Sequence, residues 1–310
     1  MAVKRGKKII LTIVVILIII LAVGLVRRIT SDVPVVYDDI ENHYKYGSTG
    51  GERGSGLQPG FGIHYWIWVI MPELFHEYLP DQTPGRGYTS FGMLYEPNRD
   101  PRFDLPIGIS TRLTQGIDRV YFNCASCHTG SVRETPSSDP QYVIGFDVAG
   151  DRRMTPEYVL AKIAEMQEVR AREYPQSPGY RPADFDLINR LTFKFLGVYL
   201  LRDHLLNVKG QLSHVDPLMW GPGRVDTFNT PKAFLGFRMD RASPSELIGI
   251  VDFPSVWYQK ARQGMHLHWD GNNISVDERN LSAAFGTGAT PPTLDKAKIL
   301  RVADFLWDQA

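Results

Sequence analysis

Cysteine is scarce in this chain, with two in 310 residues. That is too few for a disulfide-stapled scaffold or for a structural zinc site built from two C-x-x-C pairs. Neither sign of charge is in excess, because Lys+Arg and Asp+Glu both total 34, and no basic surplus points to nucleic acid as a partner. There is also no internal repeat and no low-complexity tract. At 43% apolar and 22% charged, the chain has an ordinary globular composition, long enough for one large or two small domains.

The balanced charge hides a polarity. Residues 1–30 hold six bases (Lys4, Arg5, Lys7, Lys8, Arg27, Arg28) and no acid, leaving 28 bases against 34 acids, a net of minus 6, for the remainder. Between those bases, Ile9 to Val26 is a run of eighteen uncharged residues in which only Thr12 is clearly polar. As a helix it measures about 27 Å, close to the hydrocarbon thickness of a bilayer, and no side of it is polar enough for a core helix. Four bases before the run against two after it keep the N-terminus in the cytoplasm. The segment is therefore expected to be an uncleaved anchor in the cytoplasmic membrane, with the body in the periplasm. Cleavage as a signal peptide after Ala22-Val23-Gly24 is the competing reading.

The two cysteines stand as Cys124-Ala125-Ser126-Cys127-His128. In an exported chain a single C-x-x-C-H reads as a site for covalent haem c. Two thiols on one helical turn can add to the two vinyl groups, and His128 can ligate the iron. A thioredoxin-like dithiol would open the helix of a βαβ unit, and no such unit is evident here. A plain disulfide would not require His128.

Residues 31–60 are rich in Gly, Ser and acids and read as a linker. Ile63 to Phe75 concentrates aromatic and aliphatic residues, expected to form core. Pro80 to Pro106 has the prolines and glycines of a long surface loop. Thr155-Pro156 starts a helix that continues through Val159, Leu160, Ile163 and Met166. Asp184 to Leu206 is a second helix whose broad apolar face carries Phe185, Ile188, Leu191, Phe195, Val198, Tyr199, Leu201 and Leu205. Val208 to Thr290 is irregular, and Leu294 to Trp307 is an amphipathic helix.

For the far side of the iron, Gly264-Met265-His266-Leu267-His268-Trp269-Asp270 gathers a thioether, two imidazoles and a carboxylate in one glycine-bounded loop. His268 is the preferred iron-facing residue and Met265 the next; if the site were open, His268, Asp270 or Glu278 could serve as acid or base. Arg224, on the turn that follows Gly221-Pro222-Gly223, is a candidate partner for a haem propionate, with a surface ion pair to Asp226 as the ordinary alternative. Trp257 could line the pocket.

Several blocks taken together resemble the bacterial di-haem c-type cytochromes related to cytochrome c peroxidases, and especially the branch that includes rubber-cleaving haem oxygenases. The blocks are Tyr65-Trp66-Ile67-Trp68, Phe122-Asn123 through His128-Thr129-Gly130, Gly221 through Asp226, Asp252-Phe253-Pro254-Ser255-Val256-Trp257, and His268-Trp269-Asp270-Gly271-Asn272-Asn273. The resemblance covers the first-haem portion, from about residue 60 to 310, and it implies a chemically active haem paired with an electron-relaying second one. A second C-x-x-C-H does not occur in these residues, so a second haem is expected on another subunit or not at all.

The expected fold is mainly α, a cytochrome c-like haem domain over 61–310 with long irregular loops, a linker over 31–60 and one transmembrane helix within 1–30. The expected function is a membrane-anchored mono-haem cytochrome in electron transfer, holding one haem c through Cys124, Cys127 and His128, with Arg224 and Trp257 near it. Residues 9–26 would contact membrane, and a redox partner or second haem subunit would complete the path. A peroxidase- or oxygenase-like enzyme with an open distal site is the alternative, and a haem-bearing sensor or assembly subunit a third reading.

Overall fold

The computed structural model describes residues 2–51, 62–128, 153–182, 185–215, 224–226, 229–234, 236–252, 256, 258–268, 271–286 and 289–309. It is mainly helical, 53% of it, with a small antiparallel sheet. The first helix, α1 (Ala2–Ile29), stands apart: its Leu11–Ile29 stretch is long and apolar enough to cross a membrane, and none of that stretch is buried against the body.

Little slack separates α1 from the body. Strand β1 (Asp32–Pro34) starts three residues after the helix ends and pairs with β3 (Ile109–Thr114). Next comes α2 (Ile40–Tyr46), capped by the Asp39 carboxylate, which accepts from the Asn42 N–H at 2.9 Å. Its His43, Tyr44 and Tyr46 are buried. The linker expected over 31–60 is thus folded into the body at least as far as residue 51, and residues 52–61 lie outside the described residues. The Gly-Ser-acid composition concealed a helix whose three aromatic side chains provide the burial.

The four-stranded sheet has the order β1-β3-β4-β2, with β2 Ile63–His64 and β4 Ile117–Phe122. Strands β3 and β4 are rich in β-branched and aromatic residues (Ile109, Thr111, Thr114, Ile117, Val120, Tyr121, Phe122) and pair Thr114 with Ile117. Between them, Gln115 (φ 58) and Gly116 (φ 70) form a two-residue turn of the type whose twist suits a hairpin. A second small sheet pairs β5 (Arg224–Asp226) with β6 (Ile250–Asp252).

Helix α3 (Tyr65–Leu74) is the centre of the main core, and Tyr65 to Pro72 are all buried, as the aromatic run predicted. Pro72 has no N–H to give the Trp68 carbonyl; the Tyr88 hydroxyl donates to that oxygen instead, at 2.8 Å. The N-cap of α3 is His64, whose Nδ1 accepts from the Trp66 N–H at 3.1 Å while its ring is edged by Phe185 and Phe193. Burial pulls the His64 pKa down to about 3, with Arg119 adding to the effect. The stretch from Pro80 to Pro106 is rich in turns, as expected, and residues 80–84 are exposed, but its later part is not surface. Phe103 and Leu105 are core residues, and buried Asp104 accepts from Ser177 Oγ at 2.6 Å and Tyr174 Oη at 3.0 Å.

Helix α5 (Pro156–Glu173) buries Val159, Ile163 and Met166 on the expected face, with Pro156 in its first turn. The next helix runs from α6 (Leu187–Thr192) through a π turn (Phe193–Gly197) into α7 (Val198–Leu212). Here the expected apolar face divides. Phe193, Val198, Leu205 and Val208 are buried, whereas Ile188, Leu191, Phe195 and Tyr199 are exposed. Beyond a short α8 (Asn229–Phe234), the chain closes with α9 (Val276–Gly286) and α10 (Lys296–Trp307). Asp295 caps α10, which buries Ile299, Val302, Ala303 and Leu306 as its pattern predicted.

Candidate functional site

The C-x-x-C-H residues form a short helix of their own, α4 (Cys124–His128), at the end of β4. Asn123, 1% exposed, is the joint. Its backbone N–H donates to the Gly108 carbonyl at 2.9 Å. Its side-chain oxygen accepts from the Ala125 N–H at 2.9 Å, and its Nδ2 donates to the carbonyls of Tyr44 at 3.2 Å and Gly47 at 3.1 Å. One side chain thus closes the first turn of α4 and satisfies carbonyls at the end of α2.

Gly108, with φ of 93°, lies so close that a Cβ there would fall inside the Ser126 backbone. The positive φ and the close approach both require glycine. The Ser126 hydroxyl donates back to the Asn123 carbonyl at 2.7 Å. A strand leading into C-x-x-C suggests a redox dithiol, but the preceding element is an antiparallel hairpin, not part of a βαβ unit.

Around the first cysteine the surroundings are apolar. Ala125, fully buried, clusters with Tyr44, Val256, Val302 and Leu306, and Ile107, Cys124 and Phe305 pack against them. Cys124 is half-buried, and its sulfur lies 3.5 Å from the buried Thr49 hydroxyl oxygen. The side chains of Cys127 and His128 lie outside the described residues.

One charged residue stands out within electrostatic reach of Cys124. Arg279, on the first turn of α9, is 5% exposed, and its Nε and Nη2 have no hydrogen-bond partner. Burial and the nearby Arg262 guanidinium pull its pKa below the usual arginine value, while Cys124 acts in the opposite direction from within electrostatic reach. A buried guanidinium with unsatisfied N–H groups is costly unless an anion meets it. Gln259, fully buried in the segment that follows Val256, holds the same helix by accepting from Asn280 Nδ2 at 3.0 Å, and its own Nε2 is unpartnered.

On the other side, α2 presents His43, fully buried, its Nδ1 accepting from the Tyr37 N–H and its Nε2 without a partner. Burial, then Arg301 and Lys298 of α10, lower its pKa to about 4, so the ring is neutral at physiological pH.

Of the other residues singled out by sequence, His266 and His268 do not share an extended strand. The Leu267 N–H donates to Asn273 at 2.7 Å, closing a tight loop, and His268 takes φ of 62°. His266 is exposed, with Nδ1 3.0 Å from the Gly271 carbonyl; His268 is half-buried, Met265 exposed, and Glu278 exposed on α9. Trp257 and Asp270, and the side chain of Arg224, lie outside the described residues. The backbone of Arg224 pairs with Asp252 in β5–β6. Asp226, its suggested ion-pair partner, is buried and accepts from the Asn229 N–H and Nδ2, both at 2.7 Å, and from the Gly249 N–H at 3.2 Å.

Among the described residues no cluster of three or more His, Cys, Asp or Glu side chains could hold a metal ion by itself. Arg279, Asn123 and Gly108 are the residues that motif reading passed over. A lone Arg in a helix carries no motif, and only its burial beside Cys124 marks it. Compared with known protein families, with curated proteins and with solved structures, the chain matches none.

Proposed function

We propose that this protein is a membrane-anchored c-type cytochrome that transfers electrons on the outer side of the cytoplasmic membrane. Cys124 and Cys127 would hold one haem through thioether bonds, with His128 ligating the iron. The observation that carries the proposal is the buried Arg279 guanidinium, its Nε and Nη2 without hydrogen-bond partners, within electrostatic reach of Cys124, which itself packs against an apolar cluster. Those features fit a ligand that is apolar over its ring and anionic at its edge. Arg279 takes the role first considered for Arg224, that of meeting a propionate.

Cys124 and Cys127 would hold the group without an oxidant, each thiol adding as a whole, sulfur and hydrogen, across one vinyl group. When bound, a haem supplies a one-electron iron couple. The rest falls to this chain's own residues. Asn123 and Gly108 fix the first turn of α4, so that the cysteine pair is presented in one geometry. Tyr44, Val256, Val302 and Leu306 exclude water on the Cys124 side, which strengthens the electrostatic effect of Arg279.

Helix α1 would hold the body at the membrane, N-terminus inside by its flanking bases. A six-residue strand, roughly 20 Å long, separates the hairpin tip at Gly116 from α4. The residues around the site would then face a soluble redox partner or a second haem subunit.

Optical and electron paramagnetic resonance spectra of the purified holoprotein, with and without carbon monoxide, test the electron-transfer reading. A low-spin spectrum unchanged by the gas is expected. High-spin iron that binds carbon monoxide would overturn it in favour of a peroxidase- or oxygenase-like site.

A further inference from the structure

The helix formed by α6 and α7 is apolar on both sides. Its inner side is in the core through Phe193, Val198 and Leu205. Its outer side presents Leu187 (70% exposed), Ile188, Leu191, Phe195 (70%), Tyr199 and Leu200 (56%). The spacing from 187 or 188 through 191, 195 and 199 makes these one continuous stripe along the helix. A contiguous patch of this kind marks an interaction surface rather than scattered exposed residues.

What covers it is indicated by where the helix begins. Arg28, on the last turn of α1, donates to Asp186 Oδ2 at 2.9 Å and to Asn189 Oδ1 at 2.5 Å, at the cap and first turn of α6. Its Nη2 also donates to the Gly116 carbonyl at 3.4 Å, and the Ser31 hydroxyl accepts from the Gly116 N–H at 2.7 Å. The start of α6 is therefore fastened to the end of the one helix, among the described residues, that is long and apolar enough to cross a bilayer, and β1 follows too soon to let the body swing away. Charge agrees with this placement. Over residues 187–212 the bases are Arg190, Lys194, Arg202 and Lys209, against one acid, Asp203, and long basic side chains beside an apolar stripe suit a headgroup layer.

We infer that the outer stripe of α6 and α7 is immersed in the headgroup–acyl boundary of the same bilayer that α1 crosses, on the side where α1 ends. The inference rests on reading α1 as the anchor. The body is then held by two contacts, one spanning and one lying in the surface, which fixes its orientation as well as its location.

The test uses the full-length holoprotein reconstituted in vesicles of phosphatidylcholine and phosphatidylglycerol in which some lipids carry a photoactivatable group near the top of the acyl chain. After illumination, lipid adducts are mapped by peptide mass spectrometry. Adducts on both α1 and residues 187–206 are expected, with none on exposed Phe237 or Tyr258, and Leu191→Ser/Phe195→Ser/Tyr199→Ser should lose those on 187–206 while keeping those on α1. Adducts on α1 alone would overturn the inference and leave the anchor standing. In the same vesicles a bifunctional cross-linker that joined two chains through 187–206 would overturn it too, assigning the stripe to a second copy. Absence of adducts from both helices would overturn the anchor and this inference together.

Discussion

Arg28 of α1 and Asp186 at the cap of α6 form an ion pair at 2.9 Å, joining residues 158 positions apart in sequence. Asp186 also accepts from the Asn189 N–H at 2.8 Å. Helix capping and the guanidinium together hold its pKa below the usual carboxylate value against the effect of burial. Replacing Asp186 with Ala removes both interactions and is expected to cost about 1–2 kcal/mol. Asp186→Asn, which keeps a cap, should lose less. Thermal unfolding of the two variants in detergent gives the comparison.

Asn123 and Gly108 set the geometry of the cysteine pair. Asn123→Ala leaves buried carbonyls of α2 and the Ala125 N–H without partners, an expected loss of roughly 2–4 kcal/mol. Gly108→Ala combines a strained φ with overlap on Ser126 and is expected to cost at least about 2 kcal/mol. Denaturant unfolding measures both costs, and haem loading of the same variants should fall with them.

Two buried histidines make the fold acid-sensitive. His43 and His64 have folded pKa values lowered to about 4 and about 3 from an ordinary 6.5. The unfolded chain therefore binds their protons first, and the stability they contribute is intact above pH 6.5 and lost as the pH falls towards those values. From pH 7 to pH 5 the loss is roughly 2 kcal/mol per ring. Protonation at Nδ1 would also end the acceptance by His64 from Trp66. Denaturation midpoints across that range should show the slope, and His64→Asn, which keeps a capping oxygen, should make it shallower.

Arg279 separates the haem-free from the haem-bearing chain. Arg279→Met removes an unpaired buried charge, so the haem-free chain should be unchanged or stabilised by about 1–3 kcal/mol. The same variant in the holoprotein should destabilise, because a propionate loses its partner, and should lower the iron's reduction potential by leaving that negative charge uncompensated. Calorimetry of both forms and a redox titration decide it. Equal effects on the two forms would separate Arg279 from the haem.

The parts of this architecture that local pattern carries were readable directly. Helix α10 shows its buried Ile299, Val302 and Leu306 by spacing, α5 announces itself with Thr155-Pro156, and the aromatic density of α3 marks it as core. The hairpin β3–β4 is hidden because Gln115-Gly116 is a weak turn signal. Residues 31–51 read as linker, since the burial of Tyr44 depends on α10 and α4, and Tyr46 meets Glu96 and Arg99, all distant in sequence. The stripe on α6 and α7 misled in the opposite way. Periodicity shows that Leu191 and Phe195 share a face, not whether protein or another phase covers it. At the site, C-x-x-C-H was legible by spacing alone, whereas Arg279 required the fold to bring α9 beside Cys124.

The proposed electron transfer depends first on covalent haem at Cys124 and Cys127. The direct measurement is the intact mass of the full chain, produced in a host that matures c-type cytochromes, after denaturation and acidic acetone extraction. A chain heavier by one haem is expected, with the increment lost in the Cys124→Ala/Cys127→Ala variant. A chain at its unmodified mass, with all haem in the extract or none present, would contradict it.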